Sequence, residues 1–258
     1  MEPSEMRPFL AHLARVSAEA ILPLFADPDL KVELKADQTP VTCADRRAEE
    51  ILRREIGRTF PDHGIIGEEF GETANEAEYT WVLDPIDGTK SFAAGSPLFG
   101  TLICLRQGTQ PIWGAIHLPV TGQLFVGNAE AAWLGDRPLR LRTPPPLKEC
   151  LLLTTDPKSP PLHRNPEGWQ ALLDATGMYR SWGDCFGYTM VARGAADIMC
   201  DPIMNLWDTA AILPVLRGAG AVATDWHGGD PALSDSLLVA HPAIHGKLLE
   251  ILNPPHEI

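Results

Sequence analysis

The sequence predicts a layered α/β protein built from two subdomains, residues 1–145 and 146–258. Three observations carry that expectation. The N-terminal segment has apolar residues at helical spacing, a run of short strand-like segments with turn residues between them follows, and strand and helix patterns alternate after a triple proline.

In chain order, Phe9, Leu10, Leu13, Val16, Ala20, Ile21 and Leu24 mark one face of an amphipathic helix over Met6 to Phe25. The polar stretch KVELKADQTPVTCAD follows, and a second helix runs from Asp45 to Phe60, with Ile51, Leu52 and Ile56 on one side. Ile65 and Ile66 form a short strand that breaks at Gly67 into an acidic loop, and YTWVLD is a strand ending at Asp84. The segments PLFGTLICLRQG, QPIWGAIHLP and GQLFVGNAE form an antiparallel meander that AAWLGDRPLRL continues. Pro144, Pro145 and Pro146 mark the boundary. Beyond it CLLLTTDP reads as a buried strand, EGWQALLDATG as a helix, and RSWGDCFGYTMVARGAADIMCD as strand ends around a helix rich in small residues. Asp208 stands at the start of a helix over LWDTAAILPVLRGAG, and SLLVAH and PAIHGKLLEIL close the chain.

The formal charge of −13 disfavours nucleic-acid backbones and anionic membranes as partners. No apolar run reaches the ~20 residues that cross a bilayer. The first residues, MEPSEMRPFLAHL, carry acids and prolines where a secretory signal has basic residues and an apolar core, so a cytoplasmic protein is expected. The five cysteines, Cys43, Cys104, Cys150, Cys185 and Cys200, are scattered without CxxC spacing, which argues against zinc and a disulfide framework. The eight histidines form no HExxH cluster.

Acids recur where chains place chemistry: Asp45 before a helix, Glu68 and Glu69 after a strand, Asp84 and Asp87 after another, Asp208 at a helix start. Magnesium takes oxygen ligands, commonly carboxylates together with water and substrate phosphate. Gly88 and Thr89 follow Asp87 at once, and free N–H groups at a helix start can receive an anion. Spacing by itself leaves two readings open, turn caps with surface acids or a cation cage. Two alternatives fail on spacing. DGTKS has Thr89 between Gly88 and Lys90, and the first glycine of a P-loop is replaced by Leu83. An aspartyl-phosphate phosphatase has its two aspartates two residues apart, whereas Asp84 and Asp87 are three apart.

The segments GEE, WVLDPIDGTKSF and LWDTAAILPVLRGAGA, in that order and with TPVTCAD ahead of them, resemble the signatures of the inositol monophosphatase family of magnesium-dependent, lithium-sensitive phosphatases. The resemblance covers essentially the whole chain. It implies the αβαβα sandwich of alternating helix and sheet layers shared with fructose-1,6-bisphosphatase. It also implies two or three Mg2+ ions, with Mn2+ as a substitute, and a homodimer. Carried over by motif, Glu68, Asp84, the Ile86 carbonyl, Asp87 and Asp208 would ligate metal, with Asp84 bridging two ions. Gly88 and Thr89 would bind phosphate, and Asp45 and Thr89, with Glu68, would serve catalysis by orienting a metal-activated water for in-line attack. Glu69 would play a supporting part.

Within that family PLFGTLICL, WGDCFGYTM and TDWHG are similar to the histidinol-phosphate phosphatase branch. This implies substrate contacts from Asp184, Cys185 and Asp201, where acids would attract the amine and imidazole of L-histidinol phosphate. An inositol-1-phosphate or broad sugar-phosphate phosphatase is the alternative. The residues MNLWD depart from the branch's LKP approach to the last motif, which leaves the ring contact open.

Overall fold

A computed structural model of the protein describes residues 3–35, 40–73 and 77–254. Residues 36–39, which belong to the polar stretch and include the first threonine of TPVTCAD, lie outside the described residues.

The first half runs α1 (Pro3–Ile21), β1 (Val32–Leu34), β2 (Pro40–Thr42), α2 (Cys43–Thr59), β3 (Gly64–Gly67), β4 (Gly71–Thr73), β5 (Tyr79–Asp87) and α3 (Thr89–Ala93). The meander follows as β6 (Gly100–Gln107), β7 (Gln110–Leu118), β8 (Gln123–Gly127), β9 (Ala132–Leu134) and β10 (Arg137–Pro138). Then come β11 (Leu151–Leu153), α4 (Ser159–His163), α5 (Pro166–Ala175), β12 (Met178–Arg180), α6 (Asp184–Ala192) and β13 (Ile198–Asp201). The chain closes with α7 (Leu206–Ala210), α8 (Ile212–Gly218), β14 (Val222–Thr224), β15 (Leu237–Ala240) and α9 (Pro242–Leu252).

Two mixed sheets result. The first has the order β10-β9-β8-β7-β6-β5-β3-β4, antiparallel except where β3 and β5 run parallel. The second has the order β12-β11-β13-β15-β14, with β11 parallel to both neighbours. Side chains alternate along a strand, so a sheet covered on both sides must be apolar at every position. β5 and β6 meet that condition. Trp81, Leu83, Ile103 and Leu105 pack under Leu10 and Leu13 of α1 and Leu52 and Ile56 of α2. Val82, Leu102 and Cys104 face the other way, against Tyr188 of α6 and Ile212 and Leu216 of α8. The same middle layer covers Leu153, Met199 and Val239 of the second sheet. The far side of that sheet packs on Trp169 and Leu172 of α5 and Leu248 and Leu252 of α9. The layers are therefore helix, sheet, helix, sheet, helix, as the sequence predicts. No helix among the described residues is long and apolar enough to cross a membrane.

Three local features differ from expectation. The polar stretch, for which the sequence predicts no element, contains the antiparallel strand pair β1–β2. The helix expected across Asp208 is broken at Ala211. Pro214 lacks the N–H that would bond to Ala210, and its ring crowds that carbonyl. Third, β5 does not stop at Asp84 but continues through Pro85 and Ile86 to Asp87. Its pairing with β3 ends at Leu83, so Pro85 deprives no neighbour of a donor there. A bulge lies in this extension, between the Asp84–Leu102 and Asp87–Gly100 pairs. Thr101, fully buried, pins it by donating from Oγ1 to the Pro85 carbonyl at 2.8 Å.

Thr101→Val is near-isosteric and leaves that buried carbonyl without its hydroxyl donor. We expect it to lower unfolding free energy by about 1–3 kcal/mol, read from the midpoint of urea denaturation.

Candidate active site

In a regular strand, residues three apart point to opposite faces. The β5 bulge inserts one extra residue and cancels this, because Asp84 and Asp87 oppose Leu102 and Gly100, which are two apart and share a face of β6. Both carboxylates thus point the same way, and α7 brings Asp208 onto them. One oxygen from each of the three can be chosen so that all lie within 4.8 Å of one another. Asp84 is 2% exposed, and its Oδ1 has no hydrogen-bond partner.

Glu68 lines the same cavity from the end of β3. Its position is built by Glu49 of α2, a fully buried acid that accepts Arg53 Nε at 2.7 Å, Glu69 N at 2.8 Å and Phe70 N at 3.2 Å. Only glycine fits at position 67, since any Cβ would collide with the Glu49 carboxylate. Lys35, just past β1, reaches in to bond Glu68 Oε1 at 2.8 Å and Glu69 Oε1 at 2.6 Å. Burial works against the Lys35 charge, but the two glutamates outweigh it and raise its pKa.

Asp45 occupies the first turn of α2 in a capping box. Its Oδ2 accepts Thr42 N at 2.8 Å and Thr42 Oγ1 at 2.6 Å. That leaves Oδ1 facing Thr89 Oγ1 at 3.4 Å, and the same hydroxyl lies 3.1 Å from the Ile86 carbonyl. The Ile86 side chain is buried in the core, so only its backbone is offered to the site. Asp208 repeats the device in α7. Its Oδ2 accepts Asn205 N at 2.7 Å and Asn205 Nδ2 at 3.2 Å.

Gly88 turns the chain with φ of 90°, a left-handed value suited to glycine. α3, which starts at Thr89, has five residues, so an anion here would depend on individual N–H groups more than on a helix dipole. A Cβ on Gly88 would sit 2.9 Å from Asp184 Oδ2. The Asp184 carboxylate therefore lies directly over this turn, within 3.4 Å of Ser91 Oγ. Glu68, Asp84, Ile86, Asp87, Gly88, Thr89, Asp184 and Asp208 border one cavity of about 410 Å³, which also reaches Lys90, Asp156 and Trp207, while Asp45 meets it through the Thr89 hydroxyl.

The remaining two residues expected at the substrate lie deeper, along an adjoining cavity of about 120 Å³. The Cys185 thiol is fully buried and lies toward Gly100, while its N–H donates to Asp87 Oδ2 at 2.5 Å. Asp201 is 4% exposed and accepts four protein donors: Thr154 Oγ1 and Thr155 N on Oδ1, Thr155 Oγ1 and Tyr188 on Oδ2. A carboxylate has about four lone-pair sites, so Asp201 is saturated within the fold.

Burial pushes the Asp84 and Asp87 carboxyls well above the ordinary 3.8, reinforced by Glu68 around Asp84 and by Asp184 around Asp87. Burial and then Glu68 carry Asp208 to about 7, against the Asn205 hydrogen bonds, and burial with Asp201 carries Asp184 to about 6. A divalent cation fits this donor set. The donors are hard carboxylate oxygens, one of them unpartnered, and a positive charge relieves the strain that raises them.

Several contributors were not foreseen. Thr42–Asp45 and Asn205–Asp208 have the spacing of capping boxes, a signal that was available in the sequence. Lys35, Glu49, Thr155 and Tyr188 had none, because their roles arise from tertiary packing.

The raised carboxyls set a sign for pH dependence. In the metal-free protein the folded state holds protons that the unfolded chain releases near pH 4, so stability falls as pH rises from about 4 to about 7. We expect Tm of the chelator-treated protein to be lower at pH 8 than at pH 5. Divalent cation or Asp84→Asn should reduce that difference, as differential scanning calorimetry would reveal.

The profile of the inositol monophosphatase family matches residues 2–256. The chain is 35% identical over 232 residues to a histidinol-phosphatase of Chlorobaculum parvum, covering 88% of each protein. It is 30% identical over 233 residues to an inositol-1-monophosphatase of Mesorhizobium japonicum, again covering 88% of each. A solved inositol monophosphatase from Zymomonas mobilis is 32% identical and aligns with a TM-score of 0.85 over 98% of this chain and 99% of that one. With five alternating layers and a carboxylate cluster suited to a cation, the chain belongs to the inositol monophosphatase family of metal-dependent phosphoric monoester hydrolases, whose substrates are small phosphate monoesters.

Proposed function

We propose that this protein is a magnesium-dependent phosphatase that hydrolyses L-histidinol phosphate to L-histidinol and phosphate. The observation that carries the choice is the Asp184 carboxylate lying over Gly88, beside the turn expected to receive the phosphate. An anion next to an anion site needs a cation, and the substrate itself can supply one. L-Histidinol phosphate carries its ammonium on the carbon next to the ester carbon, which brings it close to the phosphate. Inositol phosphate offers only neutral hydroxyls there. Trp207 lines the same cavity and provides an aromatic face for the imidazole.

Glu68, Asp84, the Ile86 carbonyl, Asp87 and Asp208 would hold the magnesium ions. Bound there, divalent cations lower the pKa of water and neutralise the phosphate charge. The chain's own part is positioning and proton handling. Thr89 Oγ1 lies within reach of Asp45 Oδ1, so the hydroxyl can pass a proton to the carboxylate while its lone pair orients the attacking water. Burial raises the Asp45 pKa, against the Thr42 hydrogen bonds, which makes the carboxylate a better proton acceptor. Gly88 and Thr89 N–H groups would receive the phosphate oxygens. The same reading takes the protein to be a cytoplasmic homodimer, which sedimentation velocity would check for assembly.

Steady-state kinetics with magnesium on L-histidinol phosphate and myo-inositol 1-phosphate test the substrate. We expect a higher kcat/KM for L-histidinol phosphate, and equal efficiency on the two would overturn the choice. Asp84→Asn should lower kcat/KM at least about a hundredfold, and retained activity would refute its place among the ligands.

A further inference from the structure

We infer that Thr155 is a specificity-determining positioning residue, whose hydroxyl holds the Asp184 backbone in the conformation that lays its carboxylate over the phosphate turn. This rests on the reading of Asp184 as the partner of a substrate ammonium. Among the described residues only two besides glycines have positive φ, and Asp184, at 50°, is one of them. L-residues resist this region, so a conformation held there needs an outside constraint. Thr155 provides it: the Asp184 N–H donates to Thr155 Oγ1 at 2.9 Å. Gly183 supports the contact, since a Cβ there would lie 2.9 Å from Thr155 Cγ2.

The direction of the chain of hydrogen bonds is fixed by chemistry. Thr155 Oγ1 lies 3.0 Å from Asp201 Oδ2, and an ionised carboxylate can only accept. The single hydroxyl proton therefore points at Asp201, which turns the oxygen's lone pairs toward Asp184. Asp201 is held in turn by Thr154 Oγ1 at 2.9 Å, Thr155 N at 2.8 Å and Tyr188 OH at 3.0 Å. None of these groups is needed to reach substrate. Their joint effect is to aim one side chain, and Asp201 influences specificity from beneath the site.

The test uses the full chain with magnesium and two substrates, L-histidinol phosphate and its deamino analogue, imidazolylpropyl phosphate. The readout is the preference, the ratio of the two kcat/KM values. The wild type should prefer the amine, and Asp184→Asn should abolish that preference. Thr155→Val should lower it about tenfold, chiefly through KM, while Thr155→Ser restores it. Tyr188→Phe should lower it in the same direction by less, and stands in if Thr155→Val does not fold. A preference untouched by Asp184→Asn overturns the substrate reading itself. If Asp184→Asn abolishes the preference while Thr155→Val keeps it within about twofold, the positioning role alone is overturned. Failure of Thr155→Ser to rescue overturns it as well, since the hydroxyl would then not be what matters.

Discussion

The structure depends on holding like charges together out of water. Asp84, Asp87 and Asp208 crowd within a few ångströms, with Glu68, Asp45 and Asp184 around them. Left to themselves such groups would separate or take up protons. They cannot separate, because rigid elements fix them: the β5 bulge holds Asp84 and Asp87, the first turn of α7 Asp208, the turn after β3 Glu68, the first turn of α2 Asp45 and the first residue of α6 Asp184. The fold supplies the geometry, and a cation supplies the missing charge. The repulsion that opposes folding is also what makes the pocket bind metal.

The layered packing makes this arrangement affordable to the fold. β5 is apolar on both faces along most of its length, so its end is anchored between two helix layers before it reaches the carboxylates. Glu49 and Asp201 extend the principle inward. Each is a buried acid with its oxygens occupied by protein donors, and each fixes a loop that presents another acid to the cavity.

Much of this was legible in the residues. Alternating and helical apolar patterns locate most elements, and the acids after β3 and in the last residues of β5 mark the candidate site. The bulge was not legible: a period of two places Asp84 and Asp87 on opposite faces, and only pairing with β6 reveals the added residue. Nor was the depth of Asp201, because its four donors come from the turn between β11 and α4 and from α6, which no local window covers. The reach of Lys35 into the glutamate pair likewise follows from how β1 packs, not from its neighbours in sequence.

Asp45 and Asp208 divide their oxygens, one tying down the start of a helix and the other left to serve the site, in Asp45 by facing the Thr89 hydroxyl. Neither can be exchanged for alanine without loosening the scaffold and blunting the chemistry in one stroke. Architecture and reactivity are therefore inherited together at these two positions, and neither can drift while the other is kept.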